Sequence, residues 1–308
     1  MKHLFDFSII IPTYNNKSEA ERCIESLLNQ QKNTFEILIC DDGSSDGTVE
    51  MIENKFLGFQ NIKLFQHPDK KNHGRSANRN QALGRLMGKY VLFLDSDMEA
   101  SSTLLAAHYN LLEEVNNSVS IGKIIYHNQK SNFWAKYLSS RGVGKLRNRI
   151  KHTHYYYFMT ANSALPSNWF EEIGGFDEKM KKYGGEDTEF ACRLKKIYNP
   201  NFYYNPYALV HSDQKKTYQQ ALSQIEEFAT ENLKYIVQKH DNCTDIFKLS
   251  IFTSNCLLHK MVRFFFRKWI YDVFCFICPK LPGNLGIFLF NYCVAYRIFK
   301  GFSKKICN

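Results

Sequence analysis

The sequence predicts an α/β protein built around a mostly parallel central sheet. Short, uninterrupted apolar runs recur between residues 7 and 94, and stretches with helical periodicity separate them. Runs this short and rich in β-formers suit strands buried on both faces. The order β-α-β-α-β-α-β with short loops favours parallel pairing through crossover helices. Polar or acidic residues follow these strands directly, where ligands bind in open α/β sheets.

The first half of the predicted sheet is defined element by element. Pro12 ends the first strand, and the polar loop 13–16 follows it. The second strand ends on Asp41 and Asp42, after which Gly and Ser residues form a turn. The predicted elements in this part are strand 7–11, helix 19–29, strand 36–40, helix 48–56, strand 62–66, helix 74–87 and strand 90–94.

Two carboxylates, Asp95 and Asp97, follow the strand at 90–94 with only Ser96 between them. A fully buried strand cannot end on two charges unless they emerge into a cleft or are neutralised. Two hard oxygen ligands in a cleft suit Mg²⁺ or Mn²⁺ that is held partly by the phosphates of a substrate. The alternative is an acidic loop that caps the next helix.

The remainder of the chain is less regular. Its predicted elements are helix 101–115, strand 119–125, a long and partly mobile loop at 128–157, strand 158–165, helix 186–196, strand 208–210 and helix 216–239. Glu186 and Asp187 fall in the first turn of their helix, where the helix dipole favours acids. The loop is basic and rich in Tyr, but no RNA-binding motif accompanies it, so we expect no nucleic-acid partner.

Composition and short motifs exclude several classes of binding site. The net charge of +10 is uneven, because residues 247–308 contain ten Lys or Arg and one acid, Asp272. No GxGxxG or GxxxxGK[ST] sequence follows a strand, which argues against a Rossmann dinucleotide site and a P-loop enzyme. The nine cysteines include a single CxxC pair, so we expect free thiols rather than a zinc site. Because a strand follows Met1–Asp6 directly, we expect no signal peptide and a cytoplasmic protein.

Five segments, taken in order, resemble the family 2 glycosyltransferases, which have the GT-A fold of nucleotide-diphospho-sugar transferases. The segments are SIIIPTYNN, DDGSSDGT, NHGRSANRNQAL leading into GKYVLFLDSDM, NSALPSNWFEEIGGFDE and GGEDTEFACRL. The resemblance covers about residues 5–212. It is greatest with the branch that contains chondroitin-type polymerases and polypeptide N-acetylgalactosaminyltransferases. It implies an inverting, metal-dependent transferase that uses a nucleotide sugar, with UDP as the expected carrier.

The resemblance also implies roles for individual residues. Asp187 would be the general base, and Glu186 would hold the acceptor or a loop. Asp42 would bind the uracil, and Asp95 would also hold the ribose. The implied ligands of Mn²⁺ or Mg²⁺ are Asp97, Asp95 and His211. The other implied contacts to the nucleotide sugar are Pro12, Thr13, Tyr14, Asn15, Arg79, Ser96 and Trp169. Asn78 before Arg79 is a mild departure from the family pattern.

Chemistry supports these roles, although structural alternatives remain. A nucleoside diphosphate leaves only when its charge is neutralised, and inverting transfer needs one carboxylate to accept the proton of the acceptor hydroxyl. Adjacent helical side chains point about 100° apart, so only one of Glu186 and Asp187 faces the donor. The alternatives are a hydrogen-bonded histidine at His211, core packing for Trp169, a helix-terminal acid at Glu186 and a loop cap or ion pair at Asp41.

The C-terminal residues 241–308 are predicted to form a helical region after a catalytic domain at 1–240. At helical spacing, one face of residues 260–278 is apolar and the other is basic, which is typical of a helix in a membrane interface. The apolar face consists of Val262, Phe265, Phe266, Trp269, Val273, Phe276 and Ile277. The uncharged run 281–296 is shorter than the roughly 20 residues needed to span a bilayer.

We therefore expect this region to bind the inner face of the cell membrane peripherally. A polyprenyl-diphosphate-linked or other growing surface glycan would then be the natural acceptor. The alternatives are that the region packs on the catalytic domain or forms a dimer.

The sequence thus predicts a hexosyl- or N-acetylhexosaminyltransferase of polysaccharide biosynthesis. The rival is a catalytically silent GT-A domain that serves as a binding or scaffold subunit in polysaccharide assembly, which the intact acids disfavour. A nucleotidyltransferase is disfavoured because its Gly-rich, basic phosphate-binding motif is absent after the first strand. No motif specifies the sugar, the linkage or the oligomeric state.

Overall fold

The structure, a computed structural model, describes residues 3–141, 149–240, 243–253, 256–282 and 284–304. The chain forms two compact units. The first comprises Met1–Asn128, Arg141–Lys181 and Glu186–Asp213, and the second comprises Gln129–Ser140, Lys182–Gly185 and Gln214–Asn308. The predicted boundary at residue 240 falls within the second unit.

The first unit contains the predicted sheet. Its strands are β1 (Phe5–Thr13), β2 (Phe35–Asp41), β3 (Ile62–Gln66), β4 (Gly88–Leu94), β5 (Glu99–Ala100), β6 (Ser118–Tyr126), β7 (Lys151–Thr153), β8 (Asn162–Pro166) and β9 (Asn201–Ser212). They lie in the order β3-β2-β1-β4-β8-β6-β9-β5, with β7 on β9. The first four strands pair in parallel, as predicted, and β8 is antiparallel to β4.

The helices of the first unit are α1 (Lys17–Leu28), α2 (Thr48–Lys55), α3 (Arg75–Asn80), α4 (Leu104–Glu114), α6 (Ser167–Ile173) and α7 (Glu186–Tyr198). They cover both faces of the sheet, so successive strand residues enter different apolar clusters. Ile9 and Ile11 join the cluster with α1, α2 and α4. Ile10 joins the cluster with α6 and α7. This alternation explains why the strands read as unbroken apolar runs.

β9 is longer than predicted, since strand 208–210 is the end of a strand that begins at Asn201. Pro206 lies within this strand, although proline donates no ladder hydrogen bond and is unusual inside a sheet. The register between β6 and β9 shifts between Gly122 and Lys123, where Asn205 and then Leu209 are the partners on β9. This irregularity accommodates the proline and lets the strand continue to His211.

The second unit is helical. Its helices are α5 (Phe133–Ser139), α8 (Tyr218–Thr230), α9 (Asn232–Lys239), α10 (Cys243–Ile246), α11 (Ser250–Thr253), α12 (Leu257–Phe264), α13 (Lys268–Ile277) and α14 (Leu285–Ser303). Its main core joins α5, α8, α13 and α14, with Phe290 at 0% exposure. None of the described helices is both long and apolar enough to cross a membrane.

Two predictions in this unit need correction. The expected loop at 128–157 contains α5, because the Asn132 side chain accepts hydrogen bonds from the backbone of Trp134 and Ala135 and so caps the helix. Residues 142–148 of that expected loop lie outside the described residues. The helix expected at 260–278 is broken: the hydroxyl of Tyr292 accepts from the Arg267 amide and donates to the Phe265 carbonyl.

Candidate functional site

The carboxyl ends of β1, β2 and β4 lie side by side, which gathers the predicted polar residues at one edge of the sheet. Thr13 on β1 is level with Asp41 on β2. Asp95 follows the end of β4, the neighbour of β1 on the other side. This edge is the usual ligand-binding position of an open α/β sheet.

Asp41 organises the loop after β2 rather than facing solvent. It is fully buried and accepts hydrogen bonds from the Thr13 hydroxyl at 3.1 Å and from the Gly43 and Ser44 amides at 3.0 Å each. Gly43 has a φ of +78°, and a Cβ there would lie 2.6 Å from the Lys70 carbonyl oxygen. Asp41 is thus the loop cap that the sequence left as an alternative.

Asp42 connects β2 to the loop before α3. Its two carboxylate oxygens accept from the His73 amide at 2.7 Å and the Gly74 amide at 3.0 Å, and His67 Nε2 lies 3.4 Å away. Burial raises the pKa of this carboxyl, against the hydrogen bonds and histidines that lower it. The predicted uracil contact of Asp42 stays a prediction.

The loop after β1 is held to neighbouring loops by hydrogen bonds. Asn15 has a φ of +49°, its amide donates to Ser44 Oγ at 2.9 Å, and its side-chain oxygen accepts from the Ser45 amide at 2.8 Å. The next residue, Asn16, donates through Nδ2 to the buried Ser96 Oγ. Tyr14, which directly precedes these two residues, is 49% exposed, which leaves its ring accessible to a planar ligand.

Arg79 joins two groups of acids. Its guanidinium is buried, Nη2 donates to Asp95 Oδ1 at 2.7 Å, and Nη1 lies 3.8 Å from Glu186 Oε1. The guanidinium carbon is 5.7 Å from the centroid of the Phe176 ring. Nε and Nη1 of Arg79 make no hydrogen bond within the described part of the chain. The predicted residues Arg79, Asp95 and Glu186 are therefore brought together.

Asp187 lies in the first turn of α7, beside Glu186. Its Oδ1 accepts a hydrogen bond of 2.9 Å from the hydroxyl of Thr160. Burial, followed by the negative charge of Glu186, raises the pKa of Asp187 to about 7, although Arg79 opposes the shift. A carboxyl with a pKa near neutral suits proton acceptance from an alcohol.

His211 lies on β9 level with Glu99, two residues beyond Asp97. Its ring stacks on His127 with centroids 4.8 Å apart, and burial lowers its pKa. Its Nδ1 is buried with no hydrogen-bond partner among the described residues. A neutral imidazole with an unpaired nitrogen is suited to metal binding.

The described residues contain no preassembled group of three His, Cys, Asp or Glu side chains that would hold a metal ion. Oδ1 of Asp95, an implied ligand, accepts a hydrogen bond from Arg79 in this structure. Asp97 is exposed and His211 Nδ1 has no hydrogen-bond partner among the described residues, so both side chains offer the donor atoms that a divalent cation uses. The implied role of all three residues as ligands stays a prediction.

Trp169, unlike the polar residues above, is a buried side chain in an apolar environment. It is 8% exposed, and its ring stacks on Tyr198 with centroids 4.8 Å apart. It packs in the same apolar cluster as Phe170 and Phe190. The structure places Trp169 in the core, and its role in sugar binding stays a prediction.

Sequence reasoning missed two contributors to the site. Thr160, which holds Asp187, stands in a strand-like stretch where nothing marks it as functional. His127, which stacks on His211, stands between the predicted strand 119–125 and the predicted loop 128–157, where nothing marks it as functional. Both are distant in sequence from the residues they contact, so only the fold reveals them.

Comparison with known proteins identifies the family and the fold of the chain. The family model for glycosyl transferase family 2 matches residues 8–174, which is more than half of the chain. Chondroitin synthase of Escherichia coli is 28% identical over 219 residues, covering 61% of this chain and 32% of that protein. This chain spans no more than 59% of the length of the curated relatives it resembles.

Two solved structures share the fold. TarS residues 1–349 of S. aureus in complex with UDP has a TM-score of 0.57 at 20% identity, covering 96% of this chain and 90% of that one. Mannosyltransferase PcManGT of Pyrobaculum calidifontis with GDP-Man and Mn²⁺ has a TM-score of 0.62 at 14% identity, covering 98% and 88%. The predicted GT-A fold and the resemblance to family 2 are confirmed, and the chain belongs to glycosyl transferase family 2.

Proposed function

We propose that the protein is an inverting, metal-dependent hexosyl- or N-acetylhexosaminyltransferase. It moves a sugar from a UDP-linked donor to a hydroxyl of a growing glycan. The observation that carries the proposal is the grouping of Asp187, Arg79 and Asp95 at the carboxyl edge of the sheet, with the pKa of Asp187 raised to about 7. UDP in the TarS complex and Mn²⁺ in the PcManGT complex support the choice of donor and cofactor.

Asp187 is the general base in this proposal. It accepts the proton of the acceptor hydroxyl while the oxygen forms a bond to the anomeric carbon. The bond from that carbon to the diphosphate breaks, and UDP leaves with the electron pair. Thr160 holds Oδ1 of Asp187 at 2.9 Å, so the other carboxylate oxygen is the one that meets the acceptor.

Asp97 and His211 would hold the divalent ion, together with Asp95. When bound, such an ion neutralises the charge that develops on a departing diphosphate. The exposed Tyr14 ring and the cross-linked loops at Asn15 and Asp42 line the nucleoside side of the same edge in this proposal.

The acceptor is proposed to be a glycan at the inner face of the cell membrane, with the basic C-terminal residues bringing the enzyme to that surface. Ten Lys or Arg against one acid in residues 247–308 support this location, because anionic lipid attracts such a segment.

The test is a transfer assay with UDP- and GDP-sugars, Mn²⁺ or Mg²⁺, and glycans extracted from a strain that lacks the gene. Transfer from one UDP-sugar with inversion at the anomeric carbon is expected. Binding of UDP without transfer or hydrolysis across the panel would instead identify a silent domain that serves as a scaffold.

A further inference from the structure

Helix α13 presents an aromatic face to solvent. Trp269, Val273 and Phe276 follow one another at i, i+4 and i+7, and they are 68%, 48% and 66% exposed. Shortly before this helix, Phe264 at the end of α12 and Phe265 in the following turn are 64% and 60% exposed. We call these five residues the α13 face. Large apolar side chains that are scattered singly on a surface need no explanation, but a cluster marks an interaction site.

The opposite side of α13 is firmly packed, so the exposure of the α13 face is a property of the folded unit. Tyr271 is 9% exposed, and its ring stacks on Tyr296 of α14 with centroids 4.8 Å apart. The Tyr218 hydroxyl of α8 donates to the Cys275 carbonyl at 3.2 Å. The rotation of α13 about its axis is fixed by these contacts, which leaves Trp269, Val273 and Phe276 pointing outward.

Cations accompany the exposed rings. The guanidinium carbon of Arg267 lies 4.6 Å from the centroid of Phe264, and Lys280 Nζ lies 3.3 Å from that of Phe276. Lys268 is 81% exposed at its side chain and pairs at 2.7 Å with Asp272, the one acid of residues 247–308. Three cations and one carboxylate therefore border the face.

We infer that the α13 face is the surface through which this enzyme inserts into an anionic lipid bilayer. Aromatic rings beside Lys and Arg suit the headgroup boundary, where the rings enter the apolar layer and the cations meet lipid phosphates. The inference rests on the proposed function for the membrane location of the acceptor, and its test uses no sugar transfer.

A second copy of the chain is the competing occupant. Two copies joined through this face would bring Arg267, Lys268 and Lys280 of each copy against those of the other, with only two carboxylates between them. Like charges across an interface are unfavourable, whereas an anionic lipid surface supplies the missing negative charge. Charge complementarity therefore selects the bilayer.

The chain contains its own reporter for the test. Of its three tryptophans, Trp134 and Trp169 are each 8% exposed and Trp269 is 68% exposed. Full-length protein is mixed with vesicles of phosphatidylcholine alone or of phosphatidylcholine with phosphatidylglycerol. With the anionic vesicles we expect a blue shift of Trp emission and quenching by brominated acyl chains. Both signals should be lost in Trp269→Phe.

Variants distinguish insertion through the α13 face from non-specific adsorption of the protein to vesicles. Phe276→Ser should weaken partition into anionic vesicles about tenfold, since loss of one inserted aromatic side chain costs at least that factor. Lys280→Gln should weaken it about fivefold, with the difference disappearing at high salt. Phe59→Ser, which alters a 46% exposed ring of the first unit, is the matched control and should bind as wild type does.

Three outcomes would overturn the inference. The first is an absence of binding to anionic vesicles by wild type, and the second is equal binding to neutral vesicles. The third is a lipid-free dimer in sedimentation experiments in which Trp269 is already shielded from a soluble quencher. A protein that binds vesicles but transfers no sugar would refute the proposed function and leave the lipid surface established.

Discussion

Arg79 donates a 2.7 Å hydrogen bond from Nη2 to Oδ1 of Asp95, although its guanidinium is almost entirely shielded from water. A buried cation requires such partners, since desolvation is otherwise costly. Arg79 also lies 3.8 Å from Glu186. The pair thus connects the predicted diphosphate side of the site with α7, the helix that carries the proposed base, Asp187.

We predict that Arg79→Met reduces sugar transfer by at least 100-fold and lowers the free energy of unfolding. Loss of a charge-assisted hydrogen bond costs about 1.5–3 kcal/mol, and Asp95 and Glu186 would remain without their cation. Urea unfolding and single-turnover sugar transfer measure the two effects. The control is Arg75→Met, because Arg75 is half-exposed and 3.8 Å from Glu186. Equal losses in both variants would contradict a special role for Arg79.

Asp187→Asn should lower kcat about 10²–10⁴-fold, the usual contribution of a general base, and leave the Kd of UDP unchanged. The amide keeps the shape of the side chain but cannot accept the proton. Single-turnover transfer and calorimetric binding of UDP are the measurements. Glu172→Gln, an exposed carboxyl on α6, is the control. Wild-type kcat in Asp187→Asn would exclude this residue as the base.

The pH profile of transfer follows from the raised pKa of Asp187. The base works when deprotonated, so kcat/KM should rise with pH and level off above about 7. The Thr160 hydroxyl stabilises the charged form, so Thr160→Val should move the rising limb to higher pH. If kcat/KM of the variant is lower at every pH but rises at the same pH as in wild type, Thr160 has a purely structural role.

The raised pKa of Asp187 also makes the free energy of unfolding depend on pH. A carboxyl whose pKa is higher in the folded state than its ordinary value of 3.8 binds more protons when folded. Its contribution therefore becomes less favourable as pH rises from about 4 to 7. Asp187→Asn should accordingly gain stability relative to wild type across that window, measured by urea unfolding.

Removal of the His211 imidazole should weaken Mn²⁺ binding in the presence of UDP at least tenfold. Loss of a group that supports a bound metal lowers metal affinity by about 10- to 100-fold, and tenfold is the lower end of that range. His211→Ala deletes the buried, unpaired Nδ1. Mn²⁺ titration followed by electron paramagnetic resonance reads the metal directly, without sugar transfer. His152→Ala, at an exposed histidine, is the control. Unchanged titration curves would remove His211 from the metal site.

Glu226 should contribute to stability at neutral pH and lose that contribution in acid. Burial opposes its ionisation, yet hydrogen bonds from Lys304, Arg297 and Lys300 lower its pKa to about 2. A lowered pKa stabilises above the unfolded value of 4.5, and the stabilisation is lost as pH falls toward 2.

Glu226→Gln should therefore cost about 1–3 kcal/mol at pH 7, a range reduced because Lys300 and Lys304 are about half exposed. The difference from wild type should nearly vanish near pH 2. Urea unfolding at several pH values measures it, with Glu227→Gln as the neighbouring control. A cost that is independent of pH would mean that packing, and not charge, is lost.

The parallel strands were predictable because burial on both faces leaves an unambiguous apolar run, as in Phe7–Ile11. The acids of the site were predictable because Asp42, Asp95 and Asp187 directly follow or begin regular elements. Contacts between distant segments were not predictable: the Thr160–Asp187 bond spans 27 residues, and the Tyr292 hydroxyl that breaks the C-terminal helix is 25 residues from Arg267. Periodicity reports local burial and contains no information about such partners.

The position of Arg79 has a consequence for substrate selection. Because one rigid guanidinium touches Asp95 and approaches Glu186, the gap between the two acidic clusters is set by a planar group of fixed size and not by the surrounding loops. In the proposed reaction, the diphosphate beside Asp95 and the acceptor beside Asp187 would be held at a constant separation. Substitutions in the loops that leave Arg79, Asp95 and Glu186 in place would then preserve that separation.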